Sequence, residues 1–320
     1  MRMVTEIYGL SEKSVKCPLK GEQMSKKANF YSRSIFSDDI SEVFREIPAI
    51  ARKNKAVATL LPHFEWENKV FCHSSEDMCH VPDNSIALAF TSPPYCVGKA
   101  YDKDVSLKEH LTLIANVGHE VFRCLIPGGR YVINVVGVGR KPYIPMQALF
   151  QFVHCEIGFL PAGEIIWVKG QPTASYAWGS WRSAKAPRLR DIHEYLLVFV
   201  KDFFARLDKG ISDISKEDFA ANTLSVWKVR PESAKRVGHP APFPVELAKK
   251  VISLYSYVGD AVLDPFAGSG TTLVAAKEMS RIYVGYELEQ KYCEIAIERL
   301  KNSADTKDDS DGSFRNSGLA

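Results

Sequence analysis

Several large classes of protein are excluded by what this sequence lacks. No apolar run approaches the length needed to cross a bilayer, and the opening stretch MRMVTEIYGLSEKSVK has no apolar signal core, so a soluble cytoplasmic chain is expected. The seven cysteines, at positions 17, 72, 79, 96, 124, 155 and 293, are odd in number and form no Cys-x-x-Cys pair, which argues against a disulfide framework. Cys72, His73, Cys79 and His80 look superficially like metal ligands. Their spacing matches no common zinc pattern, and adjacent residues on a strand point to opposite faces, so no metal is expected. Neither charge sign dominates. The net charge of +3 is compatible with a nucleic-acid partner without arguing for one. Internal repeats are absent. What remains is an ordinary globular composition, 46% hydrophobic and 25% charged over 320 residues, enough for one large domain with an insertion or for two modest domains.

Regular patterning begins at Lys69. Lys69-Val-Phe-Cys72 reads as a short strand, and Ile86-Ala-Leu-Ala-Phe90 as a strand covered on both faces. Leu107, Leu111, Ile114, Val121 and Leu125 recur at helical spacing, and Pro127-Gly128-Gly129 is expected to stop that helix and turn the chain. Arg130 to Val136 predicts a strand, Met146 to Ile157 a helix closed by Gly158, and Glu164 to Lys169 and His193 to Lys201 two more strands. A helix from Pro244, a strand at Ala261-Val-Leu263, a helix to Met279, a strand from Arg281 to Gly285 and a helix from Glu289 to Leu300 complete the series. Before it, residues 1–65 are mixed in character, with a basic stretch from Lys20 to Lys27 and a short helix expected from Ser41 to Lys53. After it, the polar residues 302–320 read as disordered. Alternating strands and helices point to an α/β fold with a doubly wound, mostly parallel sheet.

Two loops at strand ends carry chemistry. Val262-Leu-Asp-Pro-Phe-Ala-Gly-Ser-Gly-Thr-Thr272 is a strand, a glycine turn and a helix start, the place where open α/β sheets bind nucleotides. Glycines let the backbone approach a ligand closely. The spacing is neither G-x-G-x-x-G nor a P-loop, and the turn holds no lysine. Glu287, just past the next strand, is placed to accept hydrogen bonds from ribose hydroxyls. Alone, such a turn is more often only a turn; its strand, helix and acidic context favour a ligand. Ser92-Pro93-Pro94-Tyr95 ends the apolar strand at 86–90. Prolines have no N–H, so the loop offers carbonyl oxygens without competing donors. An exocyclic amine on a base is a poor nucleophile, because its lone pair is delocalised into the ring. The Ser92 hydroxyl oxygen and the Pro93 carbonyl can accept both amine hydrogens and pull the nitrogen toward tetrahedral geometry. Tyr95 offers a face on which an extruded base can stack. The alternative is a proline loop that stops a strand, with Tyr95 packed on the core.

Together the two motifs resemble those of the amino-methylating DNA methyltransferases, in the circularly permuted class where the tetrapeptide precedes the glycine turn. The resemblance covers about residues 69–300 and extends to Pro82-Asp-Asn-Ser85, Pro127-Gly-Gly129, Ile166-Trp-Val-Lys169, His193-Glu-Tyr195 and His239-Pro-Ala-Pro-Phe-Pro244. It implies a Rossmann-like methyltransferase domain that binds S-adenosyl-L-methionine and acts on double-stranded DNA. Serine in the first tetrapeptide position is the family's usual mark of cytosine-N4 enzymes, aspartate that of adenine-N6 enzymes. By the same resemblance Ser92, Pro93, Pro94 and Tyr95 are catalytic. Asp264, Pro265, Phe266, Ala267, Gly268, Ser269, Gly270, Thr271 and Thr272 bind cofactor, Glu287 binds its ribose, and Phe243-Pro244 opens the helix lining the methionine end. After the strand at 69–72 the family often places an acidic residue near the adenine; here His73, Ser74 and Ser75 stand, and Ser74 is the candidate hydrogen-bonding residue. The strand ending at Asp264 and the one leading into Tyr95 should lie side by side where the winding of the sheet reverses.

The segment from Gly170 to Arg190 interleaves aromatics with cations. Trp178, Trp181, Arg182, Lys185, Arg188 and Arg190 are candidate DNA contacts, the alternative being a structured loop whose tryptophans cover the sheet edge. The expected organisation is an extension over 1–65, a catalytic half over 66–201, a target-recognition region over 202–236, a cofactor half over 237–301 and a tail over 302–320. A cognate restriction endonuclease acting separately is compatible with this reading.

Overall fold

The computed structural model describes residues 35, 38–52, 65–94, 105–139, 142–170, 178–231 and 243–303. The strands are β1 (Lys69–Phe71), β2 (Ile86–Thr91), β3 (Leu125–Val135), β4 (Val138–Gly139), β5 (Tyr143–Ile144), β6 (Leu160–Val168), β7 (Trp178–Gly179), β8 (Pro187–Arg188), β9 (His193–Val200), β10 (Val226–Lys228), β11 (Ala261–Asp264) and β12 (Ile282–Tyr286). The α-helices are α1 (Ile40–Arg52), α2 (Leu107–Cys124), α3 (Met146–Ile157), α4 (Lys216–Asn222), α5 (Val245–Tyr255), α6 (Thr271–Glu278) and α7 (Gln290–Asn302).

Eight of the described strands form one sheet in the order β1-β12-β11-β2-β3-β9-β6-β10. Among these eight only β9 runs against the others, pairing antiparallel with β3 and β6. The winding reverses between β11 and β2: from β2 the chain moves outward to β3, and from β11 it moves the other way to β12. All six residues of β2 are buried, as its unbroken apolar run requires of a strand covered on both faces. Ala89 faces a core that includes Leu111, Ile114 and Phe150 from α2 and α3. Leu88 and Phe90 face a second core with Leu247, Val251 and Ala275 from α5 and α6. Helix α1 contributes Val43, Ile47 and Ile50 to the first of these cores.

Local signals explain most element ends. Helix α2 starts at a capping box, in which the Ser106 hydroxyl accepts from the Glu109 amide at 3.2 Å and the Glu109 carboxylate accepts from the Ser106 amide at 2.8 Å. Helix α3 closes on Gly158, whose φ of 121° suits a residue with no Cβ. Two expectations need correction. Pro127-Gly128-Gly129 does not end the helix or leave the sheet: α2 stops at Cys124, and β3 passes through these residues with a break in its register against β2 between Ile86 and Leu88. Gly128, at φ 79°, donates to the Lys201 carbonyl at 2.8 Å, which keeps this irregular start tied to the end of β9. Strand β6 begins at Leu160, ahead of the first clear apolar pattern, because its early residues face solvent and carry no periodic signal. The stretch at 202–236 holds a helix and a strand, α4 and β10, and β10 extends the sheet beside β6. It is also tied to the domain by ion pairs from Arg206 to Asp260 and from Arg281 to Asp213.

Candidate active site

The crevice rule for open sheets places a ligand where the winding reverses, outside the carboxyl ends of the strands. Both chemical motifs lie there. Val262 and Leu263 of β11 pair with Leu88 and Ala89 of β2, so the two strands deliver their following loops to the same edge. The loops touch: Thr91 donates its hydroxyl to the Asp264 carboxylate at 2.6 Å, across 173 positions of sequence. Thr272, at the start of α6, donates to the Phe90 carbonyl at 3.3 Å. Asp264 is 1% exposed. Burial pushes its carboxyl up to about 6, against the hydrogen bonds from Thr91 and the Phe266 amide that favour its charged form. Asp264 thus binds the two loops to each other.

The glycine turn is shaped by backbone. Gly268 and Gly270 have φ of 51° and 76°, and a Cβ on Gly270 would stand 2.9 Å from the Cβ of Ala296 in α7. Gly270 caps α6 with no side-chain hydrogen bond, leaving the positive end of that helix at the crevice. Ser269, Thr271 and Thr272 are buried, and Arg299 fixes the turn from behind by donating to the Ser269 carbonyl at 2.6 Å. Pro265 and Ala267 are buried and Phe266 half-buried. Glu287 follows β12 on the neighbouring tip. Its carboxylate accepts from the Gly268 amide at 2.8 Å and the Glu289 amide at 2.9 Å, while burial raises its pKa. Each carboxylate oxygen keeps a further lone pair for a ribose hydroxyl. Phe243 lies beneath the crevice with its ring 5.0 Å from that of Phe90, and Pro244 begins α5.

Ser74 follows β1, which runs beside β12, and Glu287 donates its amide to the Phe71 carbonyl at 3.0 Å. The Ser74 hydroxyl accepts from the Glu76 amide at 3.3 Å, and Glu76 also accepts from Asn116 at 2.7 Å. An acidic residue therefore does stand near this tip, three positions beyond His73, a placement the sequence reading missed. The nearby cysteines and histidines are engaged in packing and local bonds. His80 stacks on Phe71 at 4.3 Å and meets the Tyr286 hydroxyl at 3.2 Å.

On the other side of the reversal, Ser92 is half-buried, Pro93 buried and Pro94 half-buried; Tyr95 lies outside the described residues. Thr91 stands opposite Ile133 of β3, so Ser92 comes level with Asn134. Asn134 donates to the Ser92 hydroxyl oxygen at 3.4 Å and to the Glu194 carboxylate at 2.7 Å, and Glu194 in turn is ion-paired with Lys169. Asn134 and Glu194 are 1% and 6% exposed. Periodicity gave no sign of this chain of polar contacts, because its members come from four different segments.

The candidate DNA contacts lie on a small hairpin, β7 and β8, between β6 and β9. Lys169 donates its amide to the Ile192 carbonyl at 2.9 Å, so the intervening segment leaves and rejoins the sheet at the crevice edge. Trp181 is 70% exposed at the hairpin tip, next to Arg182 at φ 46°. Ser180 ties the tip by donating to the Ser183 carbonyl at 2.7 Å and accepting from the Ala186 amide at 2.9 Å. Arg182, Lys185 and Arg190 are exposed and Arg188 is half-buried, while Trp178 lies on β7.

An open, doubly wound sheet with a glycine turn and an acidic residue on adjoining strand tips belongs to the Rossmann-like methyltransferase class. The family model of the N6/N4 methyltransferases, described as DNA methylase, matches residues 86–298. The chain is therefore a member of this amino-methylating DNA methyltransferase family, whose methyl donor is S-adenosyl-L-methionine. Among curated proteins it is 26% identical to Type II methyltransferase M.ScaI of Streptomyces caespitosus over 82% of this chain and 94% of that one. It is 29% identical to M.MthZI of Methanothermobacter thermautotrophicus over 74% and 77%. Among solved structures, the DNA modification methylase TTHA0409 of Thermus thermophilus, complexed with S-adenosyl-L-methionine, shares 31% identity, with a TM-score of 0.59 over 74% of this chain and 94% of that one. PvuII DNA methyltransferase (cytosine-N4-specific) shares the fold, with a TM-score of 0.58 over 74% and 87% at 21% identity. No helix among the described residues is long and apolar enough to cross a membrane.

The residues present fit the donor. Glu287 retains acceptor capacity for a ribose, and the start of α6, which no side chain caps, suits the carboxylate of a methionine moiety.

Proposed function

We propose that this chain transfers a methyl group from S-adenosyl-L-methionine to the exocyclic N4 amine of a cytosine flipped out of duplex DNA. The observation that carries the reading is the position of the Ser92 hydroxyl. It lies at the tip of the strand next to the glycine turn, in a loop joined to that turn by the Thr91–Asp264 hydrogen bond. The order of the motifs, tetrapeptide first, fits the circularly permuted class. Serine rather than a carboxylate in the first position favours cytosine over adenine.

The bound donor supplies an electrophilic methyl group on a sulfonium. The protein's part is to hold the nucleophile. Ser92 Oγ and the Pro93 carbonyl accept the two amine hydrogens, which draws the nitrogen lone pair out of conjugation and toward the methyl. Tyr95 stacks on the base. Glu287 and the turn from Asp264 to Thr272 hold the nucleoside and methionine ends, with Phe243 and Pro244 lining the latter and Ser74 beside the adenine. Rate enhancement comes mainly from proximity and orientation, with no covalent enzyme intermediate. The hairpin carrying Trp178, Trp181, Arg182, Lys185, Arg188 and Arg190 contacts the duplex, and the 202–236 segment contributes to target choice. A cytoplasmic setting alongside a separately acting restriction endonuclease belongs to the same reading; the relatives named above are Type II methyltransferases.

The test is nucleoside mass spectrometry of DNA from cells expressing the chain. N4-methylcytosine should rise and disappear in Ser92→Ala; a rise in N6-methyladenine alone overturns the cytosine assignment. Labelled methyl appearing in RNA or protein extracts but not in duplex DNA would overturn the substrate class.

A further inference from the structure

We infer that Asn134, Glu194 and Lys169 are positioning residues that aim the Ser92 hydroxyl at the target amine. The inference rests on the proposed role of Ser92. Two strands and the ends of two others converge to build the device. Asn134 lies near the end of β3, Glu194 near the start of the reversed strand β9, Lys169 just past β6, and Ser92 just past β2. Because β9 runs against its neighbours, its beginning reaches the edge where theirs end.

The hydrogen-bond inventory fixes the direction of the chain. A side-chain amide has one nitrogen with two hydrogens, and only that nitrogen can donate to a carboxylate. The short bond to Glu194, at 2.7 Å, therefore sets which way the Asn134 amide faces, and the second hydrogen is left pointing at Ser92 Oγ, 3.4 Å away. The Lys169 ammonium holds the other carboxylate oxygen of Glu194. Accepting from Asn134 fixes the direction of one lone pair of Ser92 Oγ and so restrains the hydroxyl. A free serine hydroxyl would sample three rotamers and accept equally well from any of them.

A purely structural role explains the cluster less well. The surrounding sheet is apolar, with Phe90, Val132, Leu196 and Val198 nearby in sequence and packed together. Buried ion pairs are often matched in stability by apolar side chains of similar volume. A nearly buried amide and carboxylate at this edge, coupled to one hydroxyl, are accounted for by what they do to that hydroxyl.

The test is a double-mutant cycle on the full-length protein, read as methyl transfer from labelled S-adenosyl-L-methionine to PCR-amplified genomic DNA. Asn134→Ala should lower kcat about thirtyfold, with KM for DNA and donor affinity within about twofold of the original. In the Ser92→Ala background the same change should cost less than about threefold, since its effect passes through that hydroxyl. Glu194→Gln keeps an acceptor for the amide and should retain more activity than Glu194→Ala. An Asn134→Ala loss that is undiminished in the Ser92→Ala background overturns the positioning role while leaving the proposed reaction intact. Wild-type rates in Ser92→Ala sink the proposed amine pocket and the positioning role together. If Asn134→Ala does not fold, judged by circular dichroism, Glu194→Gln and Lys169→Met enter the same cycle with the same criterion.

Discussion

The two walls of the crevice are made in different ways. The wall proposed to hold the cofactor is mostly local: from Asp264 to Thr272 a single continuous stretch supplies the turn, the helix start and the conformations that only glycine adopts readily, and only Glu287, Ser74 and Phe243-Pro244 are added from elsewhere. The wall proposed to hold the amine is assembled: Ser92, Asn134, Glu194 and Lys169 are contributed by four segments, and Glu194 reaches the others because its strand is reversed. A local wall should fail abruptly and through binding. An assembled wall should fail by degrees and through kcat.

The largest expected effect tests the local wall. Gly270→Val puts a branched side chain at positive φ against Ala296, and Asp264→Ala removes the residue that binds both loops. Either should abolish donor binding by calorimetry, a loss of at least about a hundredfold. Unchanged affinity would show that the turn does not hold the donor. Next, Ser92→Ala should lower kcat by about two orders of magnitude with donor affinity retained; a matching loss of donor affinity would erase the distinction between the walls.

Titration separates the walls from the core behind them. His110 and His154 are buried in the first core, and desolvation pushes each down to about 4. Unfolding restores their ordinary value of 6.5, so the unfolded chain takes up protons first as pH falls below that point. Stability is therefore lost between about pH 6.5 and 4, by roughly 3 kcal/mol per histidine. Asp264 acts in the opposite sense. Its folded pKa of about 6 exceeds the ordinary 3.8, so acidification through that window favours the folded state by roughly 3 kcal/mol. Chemical denaturation from pH 7 to 4 should show His154→Gln flattening the acid loss and Asp264→Asn steepening it. The reverse pattern would contradict the burial described for these groups.

Thr91→Val, which cuts the bond between the loops while keeping shape, should lower both donor affinity and kcat about tenfold, because the walls share that bond. A change in only one would mean they act independently. The smallest effect is expected at the hairpin: Trp181→Ala should raise KM for DNA severalfold and leave donor affinity untouched.

The same contrast explains what the sequence disclosed. The glycine turn at the sheet reversal was legible because its residues are contiguous, and the side-by-side placement of the two motifs followed from the rule that connections wind away from a reversal point. The strand–helix alternation fixed the sheet class. The Asn134–Glu194–Lys169 chain was not legible: Glu194 and Lys169 each sat inside a stretch already noted, yet nothing local says that a carboxylate in one strand faces an amide in another. Strand β10 escaped for a related reason. Three residues with one buried member, Trp227, leave too short a record of period two. The continuation of β3 through Pro127-Gly128-Gly129 was hidden because turn-forming residues and an irregular strand start share one composition.

The reversal of β9 also governs how this protein can be altered. β6 ends and β9 begins at adjacent points, closed by the Lys169–Ile192 backbone bond, so the chain between them is inserted into a finished scaffold. Doubling the length of such an excursion costs only about 0.6 kcal/mol in closure entropy. Grafting a foreign segment between these two anchor points would reshape the surface proposed to meet the duplex while the chemistry beneath stays in register.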